Sequence, residues 1–209
     1  MKKRKKRASF LAGGALSICG RKEAAKLSDK ELIDRIRQGE SGQMDVLVER
    51  YYDEIFRYCY YRTGNGTAAA DCTQDTFLHM IRGFGSYVDR NRFRPWLFRI
   101  AANACMDYFR KNREICVEEE LLWQQGCEDK GLKQKEEEAY VQAALLQLSG
   151  IQREAVILKF YHGFKIREIA KMLGITVPAA KSRLKQGMDR LKTIMKGEDF
   201  ADETKRRPE

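Results

Sequence analysis

The side chains best suited to binding chemistry lie near the C-terminal end of the 209-residue sequence. A short run there combines basic, hydroxyl and amide groups, the types that hydrogen-bond to base edges and phosphates of nucleic acid. Its candidate contact residues are Thr176, Ala179, Lys181, Ser182, Arg183, Lys185 and Gln186. Arginine and lysine can bond guanine edges and phosphates, while serine and alanine allow close approach. This run predicts a nucleic-acid contact surface.

Helical periodicity places the run on the second helix of a helix-turn-helix. The first helix is predicted over residues 165–173, and Gly174 supplies the turn. Thr176 can cap the next helix, where Pro178 is tolerated in the first turn. A helix, a short glycine-containing turn and a basic helix form the helix-turn-helix pattern. The alternative is a solvated basic face on an ordinary helix, and the turn spacing favours DNA.

Catalytic and metal-binding patterns are missing from the sequence. His79 and His162 have no convincing serine, cysteine or metal-ligand companions, and the six cysteines include no C-x-x-C pair. Asp71 and Asp75 lie on the outward face of a predicted helix. We therefore predict that the protein is not an enzyme and that it has no catalytic residue, metal, cofactor or small-molecule substrate.

Charge divides the chain into blocks. Forty lysines and arginines against thirty acidic residues give a net charge of +10, which favours a polyanionic partner. The excess lies in residues 1–26, 82–114 and 139–196, whereas residues 115–138 are acidic and poor in apolar side chains. We interpret 115–138 as a flexible acidic linker. The predicted division is an N-terminal extension (1–26), a first domain (27–114), the linker (115–138), a second domain (139–196) and a C-terminal tail (197–209).

The periodic segments of both domains are helical. A capping box begins at Ser28, and three further helices are predicted in the first domain from about Met44, Thr67 and Pro95 onward. No segment alternates like a strand, so the predicted fold class is all-α, with two small helical domains. At apolar helical positions, Cys59, Cys72 and Cys105 are predicted to be small buried side chains.

Several segments resemble the sigma factors of bacterial RNA polymerase, in the order in which that family carries them. Its opening helix is similar to LSDKELIDRIRQGE, and its polymerase-docking helix to DCTQDTFLHM. The helix that opens and reads the minus-ten element is similar to FRPWLFRIAANACMDYFRKNRE. The helix-turn-helix that reads the minus-thirty-five element is similar to LKFYHGFKIREIAKMLGITVPAAKSRLKQGMDRLK. The domain order and acidic linker resemble the extracytoplasmic-function class, group four of the sigma-70-like factors.

The resemblance implies a docking role for the acidic helix. Asp71, Gln74 and Asp75 stand where the family meets the basic clamp helices of the largest polymerase subunit. From the residues alone, an exposed helix-solubilising face is the alternative.

The resemblance also implies minus-ten contacts. Tyr87 and Asn103 stand where the family holds a flipped base of the non-template strand. Arg110, Lys111 and Arg113 would contact phosphates, although a basic helix end also favours the helix dipole. Tyr87 as a core aromatic is the alternative.

The N-terminal extension admits two interpretations. MKKRKKR followed by an apolar stretch resembles a short secretory or lipoprotein signal with Cys19 as lipidation site. Because Ile18 occupies a position where such signals want a small residue, we favour a disordered basic arm that touches DNA or weakly contacts a membrane. The apolar run over residues 10–19 is half of what spanning a bilayer needs.

The resulting hypothesis is a cytoplasmic sigma factor. It would bind core RNA polymerase and direct promoter recognition, strand opening and transcription initiation, with an anti-sigma factor as regulator. The alternative is a helix-turn-helix regulator that binds promoter DNA without docking on polymerase.

Overall fold

The computed structural model describes residues 26–40, 42–88, 92–112 and 132–205, and within these ranges no strand occurs. In its described residues, the first domain has four helices, with a 3₁₀ turn at Phe84–Ser86. They are α1 (Asp29–Arg37), α2 (Gln43–Thr63), α3 (Gly66–Gly83) and α4 (Phe93–Lys111). The all-α prediction is confirmed.

The second domain contains the helix-turn-helix. Its helices are α5 (Leu132–Leu146), α6 (Gly150–Val156), α7 (Ile166–Met172) and α8 (Val177–Lys205), and a π-helical turn at Ile157–Tyr161 follows α6. Helix α5 begins inside the stretch predicted as linker, and α8 continues into the predicted tail. Residues 1–25 of the N-terminal extension, which include Cys19, lie outside the described residues, as do residues 113–131.

Local signals set the helix ends. At the start of α1, the Ser28 hydroxyl accepts from the Glu31 amide at 3.3 Å, and Glu31 accepts from the Ser28 amide at 2.7 Å, as the capping box predicts. At the end of α2, Gly64 adopts a φ of 76°. A Cβ at Gly64 would lie 2.6 Å from Leu146 Cδ2. Gly64 therefore both ends α2 and lets α5 approach it.

Three helices of the first domain meet at buried thiols. Cys59 of α2, Cys72 of α3 and Cys105 of α4 are buried, which confirms their predicted place in the core. Hydrogen bonds among these thiols, together with burial, raise the pKa of Cys72 and of Cys105. Because the thiolate is the nucleophilic form, these two side chains are held in their unreactive state.

The two domains pack against each other through a buried polar contact, which we call the interdomain joint. Glu154 of α6 accepts a hydrogen bond from the Tyr58 hydroxyl at 3.0 Å and lies 3.6 Å from the Arg62 guanidinium. Burial raises the pKa of Glu154, an effect that the Arg62 charge and the Tyr58 hydroxyl oppose. A carboxylate that is buried needs hydrogen-bonding or charged partners, and here both of them, Tyr58 and Arg62, belong to α2.

Arg153 ties three chain segments together. Its guanidinium donates to the carbonyl oxygens of Leu145, Leu146 and Leu148 at 2.9, 2.7 and 3.2 Å, and to that of Arg62 at 3.0 Å. These carbonyls lie at the C-terminal ends of α5 and α2 and, for Leu148, in the turn after α5, where backbone acceptors lack donors within a helix. Burial, with the Arg62 charge, lowers the pKa of Arg153 to about 10. One side chain thus caps helices from both domains.

A second joint connects α4 to the segment before α7. Arg94 forms an ion pair with Glu54 and donates to the His162 carbonyl at 2.8 Å. The Phe98 ring lies 4.9 Å from Phe164 and 4.7 Å from the His162 ring. Burial opposes ionisation of Glu54, but hydrogen bonds from His162 and Arg94 lower the pKa of Glu54 to about 2. This joint brings the helix-turn-helix directly against α4.

We predict that Arg153→Ala lowers the free energy of unfolding by about 3 kcal/mol, because it leaves several part-buried carbonyls without donors. Urea denaturation followed by circular dichroism measures the change. Arg167→Ala, which removes an exposed arginine of α7, is the control and should change stability by less than about 0.5 kcal/mol. Equal stability of the two variants would show that the carbonyls find other donors.

Candidate DNA and polymerase interfaces

Helix α3 presents a continuous exposed strip. Asp71, Gln74 and Asp75 are exposed as predicted, and Leu78, 40% exposed, extends the strip at the next helical position. An exposed ring, Tyr52 of α2, stacks on Phe77 with centroids 6.1 Å apart. Sequence reasoning missed Leu78 and Tyr52, although the spacing 71, 74, 75, 78 is helical. The strip combines two carboxylates and an amide with the exposed apolar side chain of Leu78.

A groove of about 340 Å³ runs beside this strip. Asp71, Gln74 and Asp75 line it from α3, and Asp107 and Lys111 line it from the end of α4. The structure therefore brings Lys111, predicted to contact DNA, together with the residues predicted to contact polymerase. Docking and DNA contact would meet at this edge of the first domain.

Tyr87 and Asn103 are not brought together. The Tyr87 ring is 8% exposed and packs 4.4 Å from Trp96 and 5.8 Å from Phe93. Asn103 is exposed and lies seven residues beyond Trp96, about 10 Å along α4. Against the expectation of a free stacking ring, Tyr87 is a core aromatic in this conformation. Its aromatic neighbours at the start of α4 are the physical reason, since together they cover its faces.

The exposed face of α4 carries a polar and basic stripe. Arg99, Asn103 and Arg110 are exposed at helical spacing, and Arg110 forms an ion pair of 2.9 Å with Asp107. Arg99 is an addition that sequence reasoning missed. Arg113 lies outside the described residues. A row of this kind can follow a nucleic-acid backbone.

The helix-turn-helix is formed as predicted. Gly174 has a φ of 63° between α7 and α8, and the Thr176 hydroxyl accepts from the Ala179 amide at 3.3 Å. Ala179 itself is half-buried. The exposed face of α8 carries four of the residues predicted to contact the minus-thirty-five element. Two of them are in contact, since the Gln186 amide donates to the Ser182 hydroxyl at 3.2 Å. These exposed candidates are Lys181, Ser182, Lys185 and Gln186.

Arg183 occupies a different side of α8. It is half-buried, and its charge acts on Glu154 of the interdomain joint. One turn later, Gly187 is buried, and a Cβ there would lie 2.9 Å from Val156 Cγ2. The side of α8 that carries Arg183 and Gly187 therefore faces α6. Arg183 is less available to a base edge than its sequence position indicates.

The described residues contain no group of three or more His, Cys, Asp or Glu side chains arranged to hold a metal ion. In the same part of the chain, no helix combines the length and apolar character that crossing a membrane requires.

Two known families match the chain in succession. The family described as Sigma-70 region 2 matches residues 47–115, and the family described as Sigma-70, region 4 matches residues 138–191. The first match covers the acidic strip and the α4 stripe. The second match covers the helix-turn-helix.

Curated relatives are also sigma factors. The RNA polymerase sigma factor CarQ of Myxococcus xanthus is 31% identical over 170 residues, which are 78% of this chain and 95% of CarQ. The ECF RNA polymerase sigma factor BldN of Streptomyces coelicolor is 33% identical over 73% of this chain, and the match spans 60% of BldN.

Two solved structures share the fold. CnrH in complex with the cytosolic domain of CnrY gives a TM-score of 0.63 at 24% identity, covering 81% of this chain and 97% of that chain. RpoE in complex with the anti-sigma factor NepR from Bartonella quintana gives 0.60 at 23% identity, covering 71% of this chain and 94% of that chain.

The geometry of α8 predicts different effects for two neighbouring cations. Lys185→Ala removes an exposed charge and should weaken binding to all DNA sequences alike, lowering the salt slope by about one. Arg183→Ala should leave base preference unchanged and lower the melting temperature, because the Arg183 charge acts on Glu154. Fluorescence anisotropy on matched and scrambled minus-thirty-five elements, at several salt concentrations, measures both. Loss of base preference in Arg183→Ala would place its side chain on the DNA.

Proposed function

This chain belongs to the extracytoplasmic-function sigma factors of bacterial RNA polymerase, and on that basis we propose how its two domains divide the work of initiation. It binds core polymerase and directs it to promoters. The phosphodiester chemistry belongs to the polymerase, so this chain needs no active site of its own. We place its action in the cytoplasm, where core polymerase meets the chromosome.

The first domain is proposed to dock on polymerase through the α3 strip. The observation that carries this assignment is the exposure of Asp71, Gln74, Asp75 and Leu78 on one face of α3. Carboxylates around an exposed leucine fit a basic partner helix, since interfaces combine an apolar centre with a charged rim. The domain would then hold the minus-ten element along the α4 stripe.

The second domain is proposed to read the minus-thirty-five element. Ser182 and Gln186 face solvent one turn apart on α8, where amide and hydroxyl groups can bond base edges. Lys181 and Lys185 flank them and would bind phosphates. In this division, Ser182 and Gln186 determine which promoter sequence is read. Thr176, at the start of α8, would lie near the DNA backbone.

The packed arrangement has a geometric consequence for promoter binding. The two elements are about 25 base pairs apart, or about 85 Å at about 3.4 Å per base pair. In the structure, however, Phe98 of α4 lies 4.9 Å from Phe164, just before α7. Domains in contact cannot read both elements at once. We infer that docking on polymerase separates the domains.

An anti-sigma factor is the proposed regulator. RpoE of Bartonella quintana was solved in complex with such a protein, and its fold is shared by this chain. A partner that covers the α3 strip would prevent docking. The rival function, a helix-turn-helix regulator independent of polymerase, gives no role to the domain matched by Sigma-70 region 2. In-vitro transcription with core polymerase on the promoter of the protein's own operon separates the two.

Docking predicts that Asp71→Lys combined with Asp75→Lys weakens core binding by about 2–5 kcal/mol, because both carboxylates would face basic groups. Both side chains are exposed, so folding should survive. Sedimentation or pull-down with core enzyme measures the affinity. Asp45→Lys combined with Asp189→Lys makes the same charge change at exposed positions off the strip and should bind like the wild type. Unchanged affinity in the first variant would remove the docking assignment.

Strand opening predicts a separate defect for Asn103→Ala. Holding an unstacked base must offset an unstacking cost of a few kcal/mol, and the exposed Asn103 amide can bond the base edge. Closed-complex binding should persist while permanganate reactivity of unpaired thymines falls, and a pre-melted promoter should restore transcription. Gln38→Ala, an exposed amide of the α1 cap, is the control. Tyr87→Ala should in addition lose stability, since its ring is buried. A wild-type footprint from Asn103→Ala would assign opening to other residues.

A further inference from the structure

A cleft of about 430 Å³ lies between the two domains. Its first wall comes from the start of α4, with Arg92, Trp96 and Arg99, and its second wall comes from α7, with Glu168 and Lys171. A volume of this size accommodates a small molecule. Because Lys171 belongs to the second domain, the cleft is complete only while the domains are packed together.

The cleft concentrates positive charge. Arg92, Arg99 and Lys171 are exposed, and within the part of the chain that the structure describes none of them forms an ion pair. The nearby Glu168 carboxylate is engaged locally, since it accepts from the Lys165 amide at 2.8 Å. Three cations against the single carboxylate of Glu168 leave the lining with a net positive charge, which attracts an anion, and arginine in particular suits phosphate oxygens.

The same cleft contains an aromatic surface. Trp96 is half-buried, with Tyr87 at 4.4 Å and Phe93 at 5.7 Å holding the indole in place. An indole fixed in this way is a stacking platform for a planar base. Nucleotide recognition needs cations that bind the phosphates and a ring on which the base stacks, and this cleft has both.

We propose that this cleft binds a free nucleotide, with the base on Trp96 and the phosphates among Arg92, Arg99 and Lys171. Such a ligand stabilises the packed arrangement, because it contacts both walls only when the domains meet. The nucleotide thereby opposes the separation that promoter binding requires. The inference depends on the closed arrangement and not on the docking assignment.

The test uses the full chain without polymerase or promoter, so its outcome is independent of the transcription experiments. In a Trp123→Phe background, Trp96 is the remaining tryptophan of the two in the sequence, and its fluorescence reports the cleft. ATP and GTP are titrated beside adenosine, inorganic tripolyphosphate and a five-nucleotide thymidine oligomer. Lys171→Glu and Arg92→Ala change the cleft, and Arg167→Ala removes a neighbouring exposed charge of α7 outside it.

Saturable binding of ATP or GTP is expected, with adenosine and tripolyphosphate at least about tenfold weaker. Lys171→Glu and Arg92→Ala should weaken binding by at least about tenfold, and Arg167→Ala by less than about twofold. The proposal is overturned by absence of saturation up to about 1 mM nucleotide, or by equal effects of the cleft and control variants. Tighter binding of the oligomer than of either nucleotide would also overturn it, assigning the cleft to a DNA strand.

Discussion

The buried carboxylate of Glu154 is the constraint on which the arrangement of the two domains depends. Its partners, Tyr58 and Arg62, both lie on α2, so the second domain can satisfy this group in one orientation against the first. Charged pairs of this kind contribute little net stability, because separation returns both charges to water. The joint therefore fixes the orientation of the domains while leaving them separable, which is compatible with the separation that we propose for promoter binding.

The same joint reaches α8, the second helix of the helix-turn-helix. Arg183 acts on Glu154 from α8, and Gly187 one turn later allows α8 to approach α6 closely. The side of α8 held by the joint is thus distinct from the side that carries Ser182 and Gln186. Packing in the second domain decides which residues of α8 face outward. The interdomain contact and the proposed reading face are therefore both set by the orientation of this one helix.

Features governed by local chemistry were predictable from the sequence. The Ser28 cap, the Gly174 turn and the Thr176 cap depend on residues within four positions of one another. Helical periodicity likewise identified the exposed face of α3. The joint was not predictable, since Tyr58 and Glu154 are 96 positions apart and periodicity does not say which faces meet. The burial of Tyr87 and the half-burial of Arg183 were not predictable for the same reason, because their packing partners belong to other helices.

The three buried thiols carry a consequence for signalling. With Cys59, Cys72 and Cys105 enclosed and the pKa of Cys72 and Cys105 raised, peroxides and electrophiles meet protonated sulfur that they cannot readily attack. Oxidation of these three cysteines is therefore disfavoured, and the first domain does not sense the redox state of its surroundings through them. Any response of this protein to oxidants therefore has to act through residues other than these three cysteines or through a bound partner.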